Sequence, residues 1–278
     1  MQLNFDNIDV AVNRTGVLAH SATINSNNSI EPAYVVGYRK PVRQLPFGGI
    51  NTVFNISYYP DIDAEPNLAV VNKIKNLSND AYYNGEKIEI GGITHNYCFL
   101  TSYGIKISPN NIIEANATYV TYYDLCGDIR PKSNLIDYFH SGNLCHSWQT
   151  FLNSGEARRE IYEISYDLQV NWQPVYTIGN RSPNTVKLMK GNETLSFGID
   201  QYRNIAYTGE AIYQNIFSES DGNIYLKNLS LFCQEACQTS SGSQNISIDI
   251  NNMIINSINL SSQVGEFARV NYAARRFF

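Results

Sequence analysis

Short runs of strict apolar–polar alternation dominate the chain. In 52–58, Val53, Asn55 and Ser57 share one face, and Thr52 and Phe54 lie on the other. Lys87-Ile88-Glu89-Ile90 alternates in the same way, and so does Ser247-Ile248-Asp249-Ile250. Tyr103 to Ile107 runs into the turn signal Ser108-Pro109-Asn110-Asn111, after which Ala115 to Tyr122 resumes the alternation. A period of two, punctuated by Gly, Asn and Pro clusters, predicts antiparallel strands and hairpins.

Two segments break this period. Asp63-Ala64-Glu65-Pro66 has the acid and first-turn proline of a helix start, and Leu68, Val71, Ile74 and Leu77 follow at helical spacing with Val70 beside them. A helix is expected over 65–78. A second is expected from Thr208 to about Ser218, where Ile212 and Ile216 lie four apart next to Tyr213 and Phe217. Thr208 would cap it, and Asp221-Gly222 would stop it.

The pattern Pro-x-Tyr-x-(Val/Ile)-Gly-x-Arg-x-Pro occurs twice. It is Pro32, Tyr34, Val36, Gly37, Arg39, Pro41 and again Pro174, Tyr176, Ile178, Gly179, Arg181, Pro183, displaced by 142 residues in a chain of 278. The elements around it recur in order: strand, motif, strand, helix, then several strands. The first series is a strand near Ala22–Asn25, the motif at 32–41, a strand at 52–59, the helix, and strands to Tyr123. The second is a strand near Ile164–Trp172, the motif at 174–183, a strand at 193–199, the second helix, and strands to Ala273. A period this long indicates duplicated domains, not a solenoid. The expected fold is mainly β: two tandem homologous antiparallel β-sandwich or barrel domains, 1–123 and 161–278, each with one flanking α-helix. The connector between them, 124–160, holds Gly127, Pro131 and Gly142 and lacks alternation; Ser147 to Arg159 has room for a short helix.

Charged residues make up 16% of the chain, below the roughly 25% of an average globular protein. Asn, Ser, Ile and Tyr take their place, a composition suited to sheet surfaces and polar contacts between subunits. The net charge of −5 argues against a surface that grips phosphate backbones. No apolar run reaches membrane-spanning length, and Met1 to Arg14 shows no export signal, so a cytoplasmic origin without a membrane anchor is expected. Five cysteines cannot all pair within one chain, and Cys98, Cys126, Cys145, Cys233 and Cys237 are expected as small buried apolar residues.

Candidate chemistry is sparse. His140, Cys145, His146 and Cys126 are zinc-type ligands, but their spacing matches no structural zinc pattern. Cys233 and Cys237 lack redox Cys-x-x-Cys spacing. Asp61, Asp63 and Glu65 sit in an oxygen-rich stretch without the glycine and distal acid of a calcium loop, and helix capping accounts for them. No nucleophile elbow, metalloprotease helix, phosphate loop or dinucleotide fingerprint occurs. No catalytic residue, metal or cofactor is therefore expected. Gly37 and Gly179 mark turns with positive φ or close backbone approach. The duplicated Arg39 and Arg181 have two readings: hydrogen bonding to local carbonyls, or bidentate pairing with a carboxylate across a subunit boundary. They are the candidate interface residues. The aromatic end Arg275-Arg276-Phe277-Phe278 also suits an outer-membrane barrel, but the export signal and an outward apolar alternation are missing.

Several segments together resemble bacteriophage tail-tube and related virion structural proteins: Gly48-Gly49-Ile50-Asn51-Thr52 to Tyr59, the helix start at 63–67, Phe99-Leu100-Thr101-Ser102-Tyr103 before Ser108-Pro109-Asn110, and Ala115–Tyr123. The resemblance implies a small antiparallel sandwich or barrel with one flanking helix, stacked in rings around a lumen that conducts DNA without specific binding. A duplicated member is implied to close as a trimer, a pseudo-hexameric ring, with other virion proteins as partners in a tail, neck or hub. The long 124–160 connector departs from the simplest tube subunit and leaves hub, baseplate or capsid-surface positions open. Two other classes compete. A Tyr-rich β-sandwich binding module for carbohydrate or a protein receptor would cluster aromatics on one exposed sheet face. An enzyme would require a pocket with converging acids or histidines.

Overall fold

The structure, a computed structural model, describes residues 9–27, 30–33, 43–46, 49–61, 65–77, 82–125, 144, 150–153, 157–158, 161–200, 217–226, 230–233, 246–261 and 269–278. The first half contains β1 (Val10–Val12), β2 (Thr15–Gly16), β3 (Leu18–Asn27), β4 (Ile30–Ala33), β5 (Arg43–Pro46) and β6 (Asn51–Tyr59). Helix α1 (Pro66–Lys75) follows, then β7 (Glu86–Ile90), β8 (Ile93–Ile107) and β9 (Glu114–Thr121). Two short strands, β10 (Thr150–Asn153) and β11 (Ala157–Arg158), precede the long β12 (Ile161–Val175) and β13 (Thr185–Asp200). The chain continues through β14 (Phe217–Ser220), β15 (Asn223–Leu226), β16 (Ser230–Cys233), β17 (Ile246–Asp249), β18 (Ile254–Ser261) and β19 (Arg269–Phe277).

The protein is mainly β, and every ladder among the described residues is antiparallel. The spine of the large sheet runs β3-β6-β9-β8-β12-β13-β19-β18. The beginning of β8 turns away to pair with β7, which carries β1 and β2. A bulge between Leu100 and Ser102 lies where β8 changes neighbours, and an extra residue there bends the strand so that it serves both directions. Four strands, β11-β10-β16-β17, form a separate sheet, and β4 and β5 form a hairpin.

The alternation in β6 sets its faces. Thr52, Phe54, Ile56 and Tyr58 are buried, and Val53, Asn55 and Ser57 are only half-buried. Helix α1 starts on Pro66, whose missing amide proton and fixed φ suit a first turn. It buries Leu68, Val70, Val71 and Ile74 and ends with Lys73 and Lys75 where the helix dipole favours cations. Its bounds fall just inside the expected 65–78.

The structure departs from the sequence expectations in three places. Phe217 and Ser218 are strand, not helix end, and Asp221-Gly222 is the turn of the β14–β15 hairpin. Both turn residues have positive φ, 52° and 73°, the requirement of a two-residue primed turn that Asp-Gly satisfies. The rest of that expected helix, 208–216, lies outside the described residues. Within Ser147 to Arg159, Thr150–Asn153 and Ala157–Arg158 are strands: Phe151 pairs with Phe232, a partner distant in sequence that local periodicity does not reveal. Tyrosine, assigned to surfaces by composition, also builds the core. Tyr58, Tyr103, Tyr119 and Tyr166 are among the largest fully buried side chains. Burial is tolerable because hydroxyls find partners: Tyr58 donates to Glu65 (2.5 Å), Tyr119 to Asn67 (2.6 Å) and Tyr166 to Glu193 (2.6 Å). Cys98 is buried as expected, and burial pushes its thiol well above its usual range.

Ladders in the two halves coincide on displacement. In β4–β5, Ile30 pairs with Pro46 and Ala33 with Arg43. At the end of β12–β13, 142 residues on, Trp172 pairs with Leu188 and Val175 with Thr185. The bulge between Ala19 and Ser21 in β3 recurs between Ile161 and Glu163 in β12. Phe99↔Val120 and Leu100↔Tyr119 in β8–β9 recur, 155 residues on, as Ile254↔Arg275 and Ile255↔Ala274 in β18–β19. The bulge after Leu100 recurs after Ile255. The strand order β3-β6-β9-β8 is thus matched by β12-β13-β19-β18.

Candidate assembly interface

Each motif copy starts inside a strand: Pro32 in β4, which pairs with β5, and Pro174 in β12, which pairs with β13. The second copy begins at the end of β12 and crosses to β13, closed by the Asn184 amide donating to the Val175 carbonyl at 2.8 Å. Gly179 has φ 94°, the left-handed backbone that only glycine adopts without strain. Asn180 Nδ2 donates to Thr177 Oγ1 at 3.0 Å and its amide to the Thr177 carbonyl, so the tip is built from local bonds. Arg181 is exposed and takes part in neither bond. Arg39 and Gly37, in the first copy, lie outside the described residues, as do His140, Cys126, Cys145, His146 and Cys237. Val175 at the end of β12 and Tyr176 and Ile178 on the loop are exposed apolar side chains. Tyr176 also reaches back to the first half, where its ring stands so close over Gly49 that any Cβ there would collide with it.

The two halves meet along β8 and β12. Tyr166 pairs with Ile105, and Leu168 with Tyr103. Trp172 closes the end of this ladder: its indole donates to the Leu100 carbonyl at 2.7 Å, and its ring stacks 5.2 Å from Tyr83 and lies 5.3 Å from Phe99.

Beside this joint is an ionic cluster that sequence reasoning missed. Glu193, 0% exposed, accepts from Lys75 Nζ (2.7 Å), Arg276 Nη2 (2.5 Å) and the Tyr166 hydroxyl (2.6 Å). Lys75 comes from α1 in the first half; the other three belong to the second. Lys75 Nζ also donates to the Asp249 carbonyl at 2.9 Å, and Arg276 Nη1 to the Asn251 carbonyl at 2.7 Å. Burial lowers the Lys75 ammonium, and the Glu193 carboxylate pulls it back up. The Tyr166 hydroxyl is raised, first by burial and then by Glu193. The signal was present: Glu193 occupies the buried phase of a strand whose other inward residues are Leu195, Phe197 and Ile199. A carboxylate in that phase requires cations. Two residues earlier on α1, Lys73 pairs with Glu86 (2.8 Å), which also accepts from Tyr83 (2.6 Å) and Asn13 (2.6 Å). The last turn of α1 therefore ties one lysine to its own half and the next to the other half.

Glu65 is the other unusual carboxylate. It precedes α1 with its carboxyl end enclosed, and Oε2 has no hydrogen-bond partner. Burial pushes it up to about 7, against the opposing pull of the Tyr58 hydroxyl and the nearby amides of Leu68 and Asn67. Asp61 is buried at a bridge to Leu144, and Asp63 lies outside the described residues. His95 is packed against the Asp124 carbonyl (3.0 Å) and Thr121 Oγ1 (3.2 Å), and burial lowers it. Among the described residues, no three metal-ligating side chains cluster, and no helix is long and apolar enough to cross a membrane.

No protein-family model matches this sequence, and no curated protein matches it.

Proposed function

We propose that this chain is a non-enzymatic structural subunit of a bacteriophage virion, of the tail-tube, hub or neck type, whose halves are homologous repeats. The observation that carries the reading is the coincidence of ladders. Two halves share strand order, hairpin register and the positions of two bulges, and bulges are inherited features of a fold. A chain made of two such modules presents two nearly equivalent faces, and three chains supply six modules around an axis. Such a trimeric pseudo-hexamer encloses a lumen, and a chain with little charge and a net negative balance lets DNA pass without holding it. Its partners are further copies of itself and other virion proteins. The exposed loop carrying Tyr176, Ile178 and Arg181, with Val175 at its base, is the surface available for contacts between subunits or rings.

Mass measurement in native buffer, with electron microscopy of the same sample, tests the proposal. A stable trimer or ring-shaped particles is the expected result. A well-behaved monomer at high concentration, especially one that binds glycans, overturns it in favour of a binding module.

A further inference from the structure

Within the chain, β8 of the first half pairs with β12 of the second. The counterpart of β12 in the first half is β3, and the counterpart of β8 in the second half is β18. Among the described residues, β3 is paired on one side only, with β6. On its side away from β19, β18 meets, among the described residues, only β15, at the single pair Tyr225↔Ile254, which leaves Ser257 to Ser261 without a described partner strand on that side. The chain therefore ends its large sheet in two edges that are the counterparts of the two it has already joined.

We infer that β3 of one copy adds to β18 of a second copy, reproducing the β8–β12 joint between molecules. The register follows by displacement. Ser165↔Lys106, Tyr166↔Ile105, Asp167↔Gly104, Leu168↔Tyr103 and Gln169↔Ser102 become Thr23↔Ser261, Ile24↔Leu260, Asn25↔Asn259, Ser26↔Ile258 and Asn27↔Ser257. Exposure agrees with this occupant. Leu260 is 70% exposed and Ile258 48%, whereas Ile105 and Tyr103, their counterparts in the joint, are buried. Apolar side chains on an unpaired, unblunted strand are what a sheet presents when another strand is to cover it. The β3 strand offers Ile24 and Ala22, both half-buried, on the corresponding face, and polar Thr23 and Asn25 on the other. The two edges differ, so the contact is head-to-tail: each copy gives one edge and receives the other, and the series closes only as a ring.

This inference deepens the proposed assembly and rests on its reading of the halves as repeats, but not on a virion location. Its test is cross-linking in the full chain. Asn25 and Asn259 are exposed, so substitution leaves the fold intact. At their counterparts, a Cβ on Gly104 would lie 2.8 Å from Asp167 Oδ1, which places the two side chains against each other. The variant Asn25→Cys/Asn259→Cys should form, on oxidation, covalent oligomers that end at the size of the closed ring. The out-of-register variant Asn25→Cys/Leu260→Cys, whose thiols point to opposite faces, should form at least tenfold less. Wild type, with its five cysteines, and each single variant set the background. If native mass shows an oligomer but the in-register variant does not cross-link above background, the edge pairing is overturned and the ring survives. Equal yields from both registers overturn the register and the inference with it. A monomer at every concentration, uncross-linked, overturns both readings. As a second measurement independent of thiol chemistry, Leu260→Lys should lower the association constant at least tenfold while thermal unfolding of the monomer stays unchanged; unchanged association refutes the docking surface.

Discussion

Replacing Glu193 by alanine should cost the protein about 3–4 kcal/mol. The carboxylate is enclosed and compensates two cations, Lys75 with 10% and Arg276 with 23% of the side chain exposed. Removing one partner of a buried pair typically costs about 3–5 kcal/mol, because the remaining charge stays desolvated. Both cations retain a path to water and a carbonyl acceptor each, which puts the ionic loss near ~3 kcal/mol. The Tyr166 hydroxyl also loses its acceptor inside the core, worth on the order of 1 kcal/mol. Urea unfolding followed by fluorescence measures this, with Trp172 lying in the same joint. With m on the order of 3 kcal/mol/M, the midpoint should fall by about 1 M. Glu193→Gln keeps the acceptor for Tyr166 but loses the charge, and should fall between the two. The triple variant Lys75→Met/Glu193→Leu/Arg276→Met leaves no charge uncompensated and should regain most of the loss. An alanine variant within about 1 kcal/mol of wild type would refute the reasoning, since it would mean that the cluster is solvated and does not couple the halves.

Two further outcomes are expected. Glu65 has a folded pKa of about 7 against an ordinary 4.5, so protonation favours the folded state; its contribution is complete below pH 4.5 and is lost as pH rises through 7, by about 3 kcal/mol in all. Glu65→Gln should flatten this fall and be more stable than wild type at pH 8, and urea midpoints from pH 5 to 8 check it: identical slopes for both proteins contradict the burial of the carboxyl. Trp172→Phe keeps an aromatic ring but loses the indole bond to the Leu100 carbonyl, and should cost about 1–2 kcal/mol in thermal or urea unfolding; no measurable change would mean that another partner or water replaces the indole.

Strand positions were legible wherever burial is one-sided. The alternation at 52–58 and 87–90 is visible because each strand has one wet face, and the helix was marked by Pro66 and the spacing of Leu68, Val71 and Ile74. The short strands at 150–153 and 157–158 carry no such mark, because the first is held by Ser230–Cys233, far along the chain, and the second pairs only with the first. Asp221-Gly222 fits a helix stop as well as the hairpin turn it makes, since positive φ serves both. The repeated motif pointed to its loops but drew attention to the arginines. The more telling residue was Glu193, an acid in a buried phase, which one-dimensional spacing does not connect to Lys75 or Arg276.

The order of strands also governs how the chain must be made. In each half the strand that appears last, β9 or β19, lies inside the sheet: β9 between β6 and β8, β19 between β13 and β18. As the chain leaves the ribosome, β6 and β8 each wait with a bare flank until β9 slots between them. Folding cannot proceed as a simple zipping of successive hairpins. Until then the unpaired flanks of β6 and β8 are open to the wrong strand, including one from a neighbouring nascent chain. In the proposed assembly, where β3 and β18 join other copies, premature association is most accessible at that moment, and synthesis at high concentration should make chaperone supply, more than thermodynamic stability, the limit on yield.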